Sequence, residues 1–481
     1  MPAAVPAAEL DDRDDAVVAG FGYRPTLRRR LSGWSSFGLA FSTISITSGL
    51  FVNFQAGFAE LGPAHVWTWP VAAAGQLLVA LVVAGLARRV PLAGATYQWG
   101  RQLMGRTYGW FVGALGVMYV VVGLPGIALL AAAPLLRYSL GIDSGGARVT
   151  LVIAVAFVTI GFLANLAGVQ TAARVNNVAV WCEIAGTAAV AAVLVVLLAG
   201  HAKPAGHSLS VLSSAAHPPG HPYWYAAVLA GLTGVYTLVG FESAAELAEE
   251  TVEPDRAVPR AVLTALAVSA VMGFLVLIAF TLAVPGDGTL LAQGGLPAVF
   301  AYWFGDVATR LVIGLVVLAM FGVMVAGGAA GARLLFAMGR DGVLPTGLAK
   351  TTRTGGTPLP ALAVCWVLSV GVLWYGYASG DAFGTLVAAT ALVPFLVYLL
   401  IIVAALRSGA DGTDGTESTA SRLRRAVPWA ALVWVVVAVL ALALPERSRE
   451  ADYYVLGGLV LATLWWARLA ATASSERRSS R

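Results

Sequence analysis

The chain has 481 residues, of which 59% are hydrophobic and 11% are charged, with a formal net charge of +5. Soluble globular domains carry about 25% charged residues, so this composition excludes a soluble domain and indicates a polytopic membrane protein. The basic residues cluster in loops that flank the apolar segments. We therefore expect the lipid bilayer as a partner, and no nucleic acid.

Both cysteines, Cys182 and Cys365, lie inside apolar runs, which excludes a disulfide framework or a cysteine metal site. We expect no metal and no cofactor. The N-terminal stretch is acidic and lacks the apolar core of a signal peptide. We interpret residues 1–30 as a solvated, disordered cytoplasmic tail.

A membrane-spanning helix needs roughly 20 apolar residues, which predicts an all-α integral membrane protein with about twelve transmembrane helices. A short amphipathic segment, 296–304, is expected to lie at the surface before the eighth span. The expected spans are 34–58, 66–87, 107–136, 147–168, 176–200, 223–247, 260–284, 309–338, 359–378, 382–406, 427–445 and 452–471.

These spans divide the chain into a ten-helix core, 31–407, and two further helices within 427–472. The stretch 408–426 is rich in Gly, Ser, Thr and Asp and is interpreted as a flexible cytoplasmic linker. Residues 473–481 are predicted to form a polar cytoplasmic tail.

Basic residues orient the predicted spans. With the N-terminus inside, about 24 of the 30 Lys and Arg residues fall inside or at inner helix ends. This asymmetry predicts an even number of spans in the cytoplasmic membrane, with both termini cytoplasmic.

The histidines fall in predicted outer loops and are expected to be solvated. They are His65, His201, His207, His217 and His221.

The first span has an unusually polar middle, 42–49, with the sequence STISITSG. Ser and Thr side chains can satisfy backbone groups freed by local unwinding, and Gly49 permits such unwinding. The alternative is a small-residue face for helix packing. The candidate binding residues here are Ser45, Thr47, Ser48 and Gly49.

A second interruption lies in the sixth span, where Gly240 precedes Glu242 in the middle of an apolar run. A carboxylate at the bilayer centre costs roughly 2.5–3.5 kcal/mol and is rarely kept without a use. One irregular span therefore opens each half of the ten-helix core. Interruptions at corresponding positions are typical of the substrate site of an inverted-repeat secondary transporter.

The two breaks also predict the chemistry of a cargo molecule. Free N–H groups at a half-helix N-terminus suit a carboxylate, and free carbonyls at a C-terminus suit an ammonium group. A zwitterionic amino acid matches both ends. The candidate binding residues at the second break are Tyr236, Gly240 and Phe241, and the two aromatic rings could cover or stack on a bound cation. Ordinary core packing is the alternative for the two aromatic residues.

Glu183 is a second intramembrane carboxylate, in the fifth span. With Glu242 it is a candidate proton carrier, because burial favours the protonated form. The alternative for Glu183 is a structural hydrogen bond to unwound backbone. The eighth span has no Ser or Thr from 311 to 338, so we expect proton coupling rather than sodium coupling.

Five stretches resemble the amino acid–polyamine–organocation superfamily, and most closely its amino acid/choline transporter branch, which includes GABA and choline permeases. The resemblance covers nearly the whole chain from Leu31. The stretches are ITSGLF at 46–51, WP with GQL within 69–77, RVPLAGATYQW at 89–99, GFESA with two acidic residues and a proline at 240–254, and RDGVLP at 340–345.

The resemblance implies a LeuT-type fold with five-plus-five inverted repeats and two additional C-terminal helices. It implies that the substrate's backbone groups bind at the first and sixth breaks. Tyr236 has the spacing from Glu242 at which arginine–agmatine exchangers place a gating aromatic residue and an acidic residue. Many superfamily members have a Lys where this chain has Glu183, so a Lys-based proton mechanism does not transfer.

The favoured interpretation is a permease for an amino acid or a related amine such as GABA, working by alternating access as a proton symporter. A choline or polyamine transporter, or an amino acid exchanger, is the alternative. A membrane enzyme is disfavoured because no HExxH, GxSxG or P-loop motif occurs. A channel is disfavoured because no filter repeat occurs.

Overall fold

A computed structural model describes residues 7–200, 209–216, 222–286, 288–352, 356–379, 381–408, 419–445 and 449–479. Within these ranges the chain is built from α-helices with short 3₁₀ and π turns between them. The helices are α1 Ala7–Gly20, α2 Gly33–Ile44, α3 Ile46–Leu61, α4 Thr68–Arg89, α5 Ala95–Met104, α6 Arg106–Ile127, α7 Ala133–Leu140, α8 Gly146–Leu166, α9 Val169–Ala199, α10 Tyr223–Thr237, α11 Ser243–Glu246, α12 Pro254–Ala283, α13 Thr289–Phe304, α14 Asp306–Arg340, α15 Leu359–Ser379, α16 Asp381–Arg407, α17 Thr419–Ala443 and α18 Arg449–Ser479.

In the described part of the chain, ten helical stretches are long and apolar enough to cross a membrane. One of them, Gly33–Arg89, has 57 residues and contains α2, α3 and α4, which is enough for two crossings. The broken pair α10 and α11 is too short to be included among the ten. The prediction of an all-α membrane protein is confirmed, and the helix pattern accommodates the expected spans.

Helix α14 lies at the centre of the helix bundle. It packs against α9, α6, α8, α7 and α15, and its second half is almost completely buried. The sequence there, AGGAAGA at 326–332, consists of small residues, which let neighbouring backbones approach closely in a membrane bundle. At Gly327, for example, an added Cβ would lie 2.7 Å from Leu124 Cδ2 on α6.

The N-terminal segment is ordered against the bundle, so the prediction of a disordered tail is wrong for the described part of it. Helix α1 is followed by a segment outside the α-helices, residues 21–32, which we call the N-terminal strap. In this segment Leu31 forms an isolated β-bridge with Thr251. The Asp14 carboxylate accepts a hydrogen bond from the Glu253 backbone N–H at 3.0 Å. Arg29 forms ion pairs with Asp14, at 3.7 Å, and with Asp15. These pairs fix a segment whose charge alone suggested solvation.

Tyr23 completes this attachment. Its hydroxyl donates a hydrogen bond to Asp341 Oδ1 at 2.9 Å, and the Arg340 guanidinium lies 3.9 Å from its ring centroid. Burial, reinforced by the nearby Asp341 carboxylate, raises the pKa of Tyr23 to about 12, so the hydroxyl remains a donor at neutral pH. Arg101 pairs with the same carboxylate at 3.2 Å.

Two buried ion pairs close the end of the bundle that carries α1, the terminal face. Glu250 binds Arg333 through two hydrogen bonds of 3.0 Å, and both side chains are 1% exposed. Glu249 binds Arg340 through bonds of 2.9 and 3.0 Å. We call these four residues the terminal-face seal. They join the segment after α11 to the end of α14.

Three other local features differ from expectation or refine it. His65 is fully buried, with Nδ1 2.9 Å from the Gly62 carbonyl oxygen and its ring 5.2 Å from that of Phe54, so its prediction as a solvated loop residue is wrong. The other four histidines lie outside the described residues. Helix α17 begins at Thr419, inside the predicted linker, and α18 extends to Ser479, inside the predicted tail.

Residues 296–304 form part of a helix before the eighth span, and the expected position of this segment at the membrane surface stays a prediction. Helix α13 contains it, with a kink at Gly295, where φ is 63°. Val299 and Phe300 are buried against the rest of the bundle.

The terminal-face seal yields a stability prediction. Replacing Glu250 by Gln removes one partner of a fully buried pair and leaves the Arg333 guanidinium uncompensated, which costs about 3–5 kcal/mol. We expect a clearly lowered melting temperature for purified Glu250→Gln in detergent. The matched control is Glu253→Gln, which removes the half-exposed pair with Arg256 and costs about 0–1 kcal/mol. Equal melting temperatures for the two variants would contradict this role.

Candidate binding site

The first break lies between α2 and α3 at Ser45. This residue has φ 40° and ψ 80°, a left-handed conformation that L-residues other than Asn and Asp rarely adopt. The predicted interruption is therefore present, but the residue that makes it is Ser45 and not Gly49. Gly49 lies inside α3, where an added Cβ would be 2.5 Å from the methyl group of Thr237. Its small size serves the close approach of α3 to α10.

The second break separates α10 from α11. The backbone leaves the helix after Thr237 and turns at Gly240, where φ is 95°. An added Cβ at Gly240 would lie 3.0 Å from the Thr43 carbonyl oxygen, so both the turn and the contact require glycine. Glu242, two residues after Gly240, directly precedes the single turn of α11. The prediction of a break at 239–243 agrees with this geometry.

The two breaks contact each other. The Thr43 hydroxyl lies 2.7 Å from the Gly240 carbonyl oxygen and 2.6 Å from the Ser243 hydroxyl. The Ser243 hydroxyl in turn lies 3.2 Å from the Leu39 carbonyl oxygen. Backbone groups freed by the interruptions thus find side-chain partners, which a membrane interior requires because it contains no solvent to satisfy them.

A cavity of about 530 Å³ lies beside this junction, bounded by α2, α3, α5, α6, α10, α11, α14 and α16. Its lining is largely apolar, and its volume suits a small organic molecule. The polar side chains among the lining residues are those of Thr43, Asn53, Thr96, Tyr119, Tyr236, Glu242, Ser243, Glu246 and Thr390.

Two of these residues are carboxylates one helical turn apart. Glu242 Oε2 accepts a hydrogen bond of 2.6 Å from the Tyr398 hydroxyl. Glu246 Oε1 accepts from the Thr96 backbone N–H at 3.1 Å and from the Thr96 hydroxyl at 2.7 Å. Glu246 was not among the predicted site residues. Its spacing of four residues from Glu242 could have identified it, because such residues share a helix face.

Two further hollows extend from this cavity away from the terminal face. One, of about 280 Å³, shares Asn53, Tyr236 and Ala388 with the cavity and reaches Pro445 and Asp452. The other, of about 270 Å³, shares Val52 and lies beside α13. The space beside the breaks is therefore extended towards the face opposite the seal.

Glu183 lies in a separate cluster. Its Oε1 accepts a hydrogen bond of 3.1 Å from the Thr47 backbone N–H and lies 3.1 Å from the Ser45 hydroxyl. The Thr47 hydroxyl is 2.6 Å from that of Thr187. Helix α3 has no side-chain cap of its own at Ser45, and a carboxylate from α9 takes that place, where the positive end of the helix dipole favours it. This is the structural alternative that the sequence left open for Glu183.

The structure divides the predicted site residues into two groups. Tyr236, Gly240 and Glu242 line the cavity. Phe241 is fully buried and stacks on Tyr398 at a centroid distance of 5.5 Å, outside the lining. Ser45, Thr47, Ser48 and Gly49 also lie outside the lining. Thr47 and Glu183 instead face a hollow of about 20 Å³, too small for an amino acid.

The cap on α3 can be tested by stability. Glu183→Leu leaves the Thr47 N–H without its acceptor, at a cost of about 1–3 kcal/mol for an unsatisfied buried group, whereas the Ser45 hydroxyl keeps Ser48 Oγ as an acceptor at 2.6 Å. Glu183→Gln keeps an acceptor oxygen and loses only the charge–dipole interaction, about 0.3–2 kcal/mol. We expect melting temperatures in the order wild type, Gln, Leu. An equal loss in both variants would show that charge, not hydrogen bonding, is what α3 requires.

The sequence model of the family described as "Amino acid permease" matches residues 31–462. An amino-acid permease BAT1 homolog of Oryza sativa subsp. japonica is 23% identical, with 95% of each chain covered. The branched-chain amino acid permease BcaP of Lactococcus lactis subsp. cremoris is 26% identical over 74% of this chain and 78% of its own. A probable GABA permease of Pseudomonas aeruginosa is 27% identical over 84% and 85%.

These matches and the all-helical membrane architecture agree. The chain belongs to the amino acid permease family, and it is a membrane transporter, not an enzyme.

Proposed function

We propose that this protein is a secondary transporter that moves an amino acid or a related amine through the cavity beside the two helix breaks. The observation that carries the proposal is the junction of the breaks beside a cavity lined by Glu242. Broken helices in contact at the centre of a bundle are how secondary transporters build a substrate site. The relatives named for amino acid transport support the cargo class.

Alternating access fits the asymmetry between the two ends of the bundle. The terminal-face seal and the N-terminal strap block one end, while the hollows beside Tyr236 extend the cavity towards the other. Tyr236 lines both the cavity and one hollow, which is the position of a gate. Opening the seal and closing around Tyr236 would expose the same cavity to the opposite side. A five-plus-five inverted repeat with two additional helices is the proposed basis of this motion.

Proton coupling is part of the proposal, and Glu242 is the proposed carrier. It faces the cavity and is held by Tyr398, whose α16 would move relative to the breaks when access changes. Glu183 is a weaker candidate because it is occupied in capping α3 and is separated from the cavity. Sodium coupling is disfavoured, since the part of α14 from 311 to 338 offers no side-chain hydroxyl.

The proposed location is the cytoplasmic membrane, with the terminal face on the cytoplasmic side. The arginines of that face, including Arg29, Arg101, Arg333 and Arg340, support this orientation by the positive-inside rule.

Uptake by proteoliposomes tests the function. We expect saturable uptake of labelled amino acids or amines that increases when the outside is acidic relative to the lumen. Glu242→Gln should lower uptake about tenfold and remove its dependence on the pH gradient, because the carboxylate can no longer take up a proton.

The control for this test is Asp306→Asn, which removes an exposed carboxylate at the start of α14, outside the cavity. It should behave as wild type. Uptake that requires cargo inside the vesicles would instead identify an exchanger. Pre-formed vesicles that take up none of the candidate cargoes would contradict the function itself.

A further inference from the structure

We propose that the cavity recognises the ammonium group of a cargo with net positive charge, held between Glu242 and Glu246. This inference rests on the proposed transport function and narrows its cargo from amino acids in general to amines and basic amino acids. Glu246 is essential to this ammonium site, because it adds a second carboxylate to that of Glu242, which we propose as the proton carrier.

The first observation is an acceptor without a partner. Glu246 is 6% exposed, and its Oε1 is bound by Thr96, but its Oε2 has no hydrogen-bond partner among the described residues. A buried carboxylate oxygen without a donor is costly. Glu246 lines the cavity, and a small movement of its side chain would turn this oxygen towards a donor carried by the cargo.

The second observation is the charge balance of the cavity. Among its described lining residues, two are acidic and none is Lys, Arg or His. The basic side chains that contact the segment directly after α11 are Arg333 and Arg340, and they are already bound to Glu250 and Glu249. A positively charged cargo would therefore supply the countercharge to Glu242 and Glu246 that the described lining residues do not supply.

The third observation concerns the place where a substrate carboxylate was expected. The N-terminus of α3 offers the positive helix end created by the first break, but Glu183 already occupies it. A protein carboxylate in this position removes the binding site that a zwitterion would use there. The remaining polar lining groups, such as Asn53 and Thr43, are neutral. Recognition consequently depends on the positive end of the cargo.

The shape of the cavity agrees with a small amine that has an apolar body. Its volume of about 530 Å³ and its mainly apolar wall suit an aliphatic chain. Tyr119 and Phe395 contribute ring surfaces to the same wall, and aromatic faces attract cations.

A matched set of ligands tests the charge requirement in purified full-length protein by thermal stabilisation and calorimetric titration. The probes are lysine, norleucine, which lacks the side-chain ammonium, cadaverine, which lacks the carboxylate, and glutamate. We expect lysine, cadaverine or both to bind, and norleucine and glutamate to leave the melting temperature unchanged. A ligand at 100 times its Kd should be readily detected by this shift.

Variants identify the residue. Glu246→Gln should weaken binding of the cationic probe by about 30-fold, the effect of removing one partner from a buried charge pair. Glu246→Asp, which keeps the charge, should recover part of that affinity. The control Glu253→Gln, at the terminal face, should bind as wild type. Melting temperatures without ligand show whether each variant is folded.

The outcomes separate this inference from the proposed function. Binding of norleucine as tight as that of the cationic probes, or unchanged binding in Glu246→Gln, would overturn the charge requirement while leaving a neutral amino acid transporter intact. Failure of every cationic probe to bind would overturn it as well. Cationic ligands that bind in detergent but are not moved across a proteoliposome membrane would overturn the transport function and leave the ammonium site standing.

Discussion

The structure depends on how the two interrupted membrane helices obtain hydrogen-bond partners for the backbone N–H and C=O groups that are freed at the breaks. A helix that ends in the middle of a bilayer leaves N–H and C=O groups that lipid cannot bind. In this protein the groups are satisfied by side chains that cross between helices. Thr43 and Ser243 join the two breaks, Tyr398 binds at Gly240, and Glu183 caps α3 from α9. Every other feature of the site follows from these contacts, because they hold open the space that the breaks create.

The same contacts explain why the carboxylates have different roles. Glu183 is satisfied by the protein, and Glu250 is neutralised by Arg333. Glu242 and Glu246 face the cavity, and one oxygen of Glu246 has no partner among the described residues. Glu183, Glu246 and Glu250 are buried and Glu242 is partly buried, so the main difference lies in which partner each carboxylate has. Structural carboxylates are bound from within the fold, and the two that we propose to serve cargo or protons line the cavity.

Sequence reasoning found the helical class, the two breaks and the membrane character, since these follow from apolar run length and from polar or glycine interruptions. It could not find which residue takes the unusual conformation. Gly49 is the expected one by propensity, but the helix contact with Thr237 uses its small size, and Ser45 takes the turn. Sequence reasoning also missed that the N-terminal segment is ordered. Arg29 pairs with Asp14, and the Asp14 carboxylate in turn binds the Glu253 backbone N–H, a residue far from it in the sequence. Glu246 was missed despite its four-residue spacing from Glu242, because the sequence does not show that Glu249 and Glu250 are paired with arginines while one oxygen of Glu246 has no partner among the described residues.

The most direct test of the central claim, that the cavity beside the breaks is the path of the cargo, is the accessibility of a cysteine placed in its wall. Ala388 lines both the cavity and an adjoining hollow, so Ala388→Cys would be made in a background with Cys182 and Cys365 replaced by Ser. A membrane-impermeant thiol reagent should label it from the face opposite the termini, and a transported cargo should slow the labelling. Labelling that is absent from that face, or that is unaffected by saturating cargo, would contradict the account.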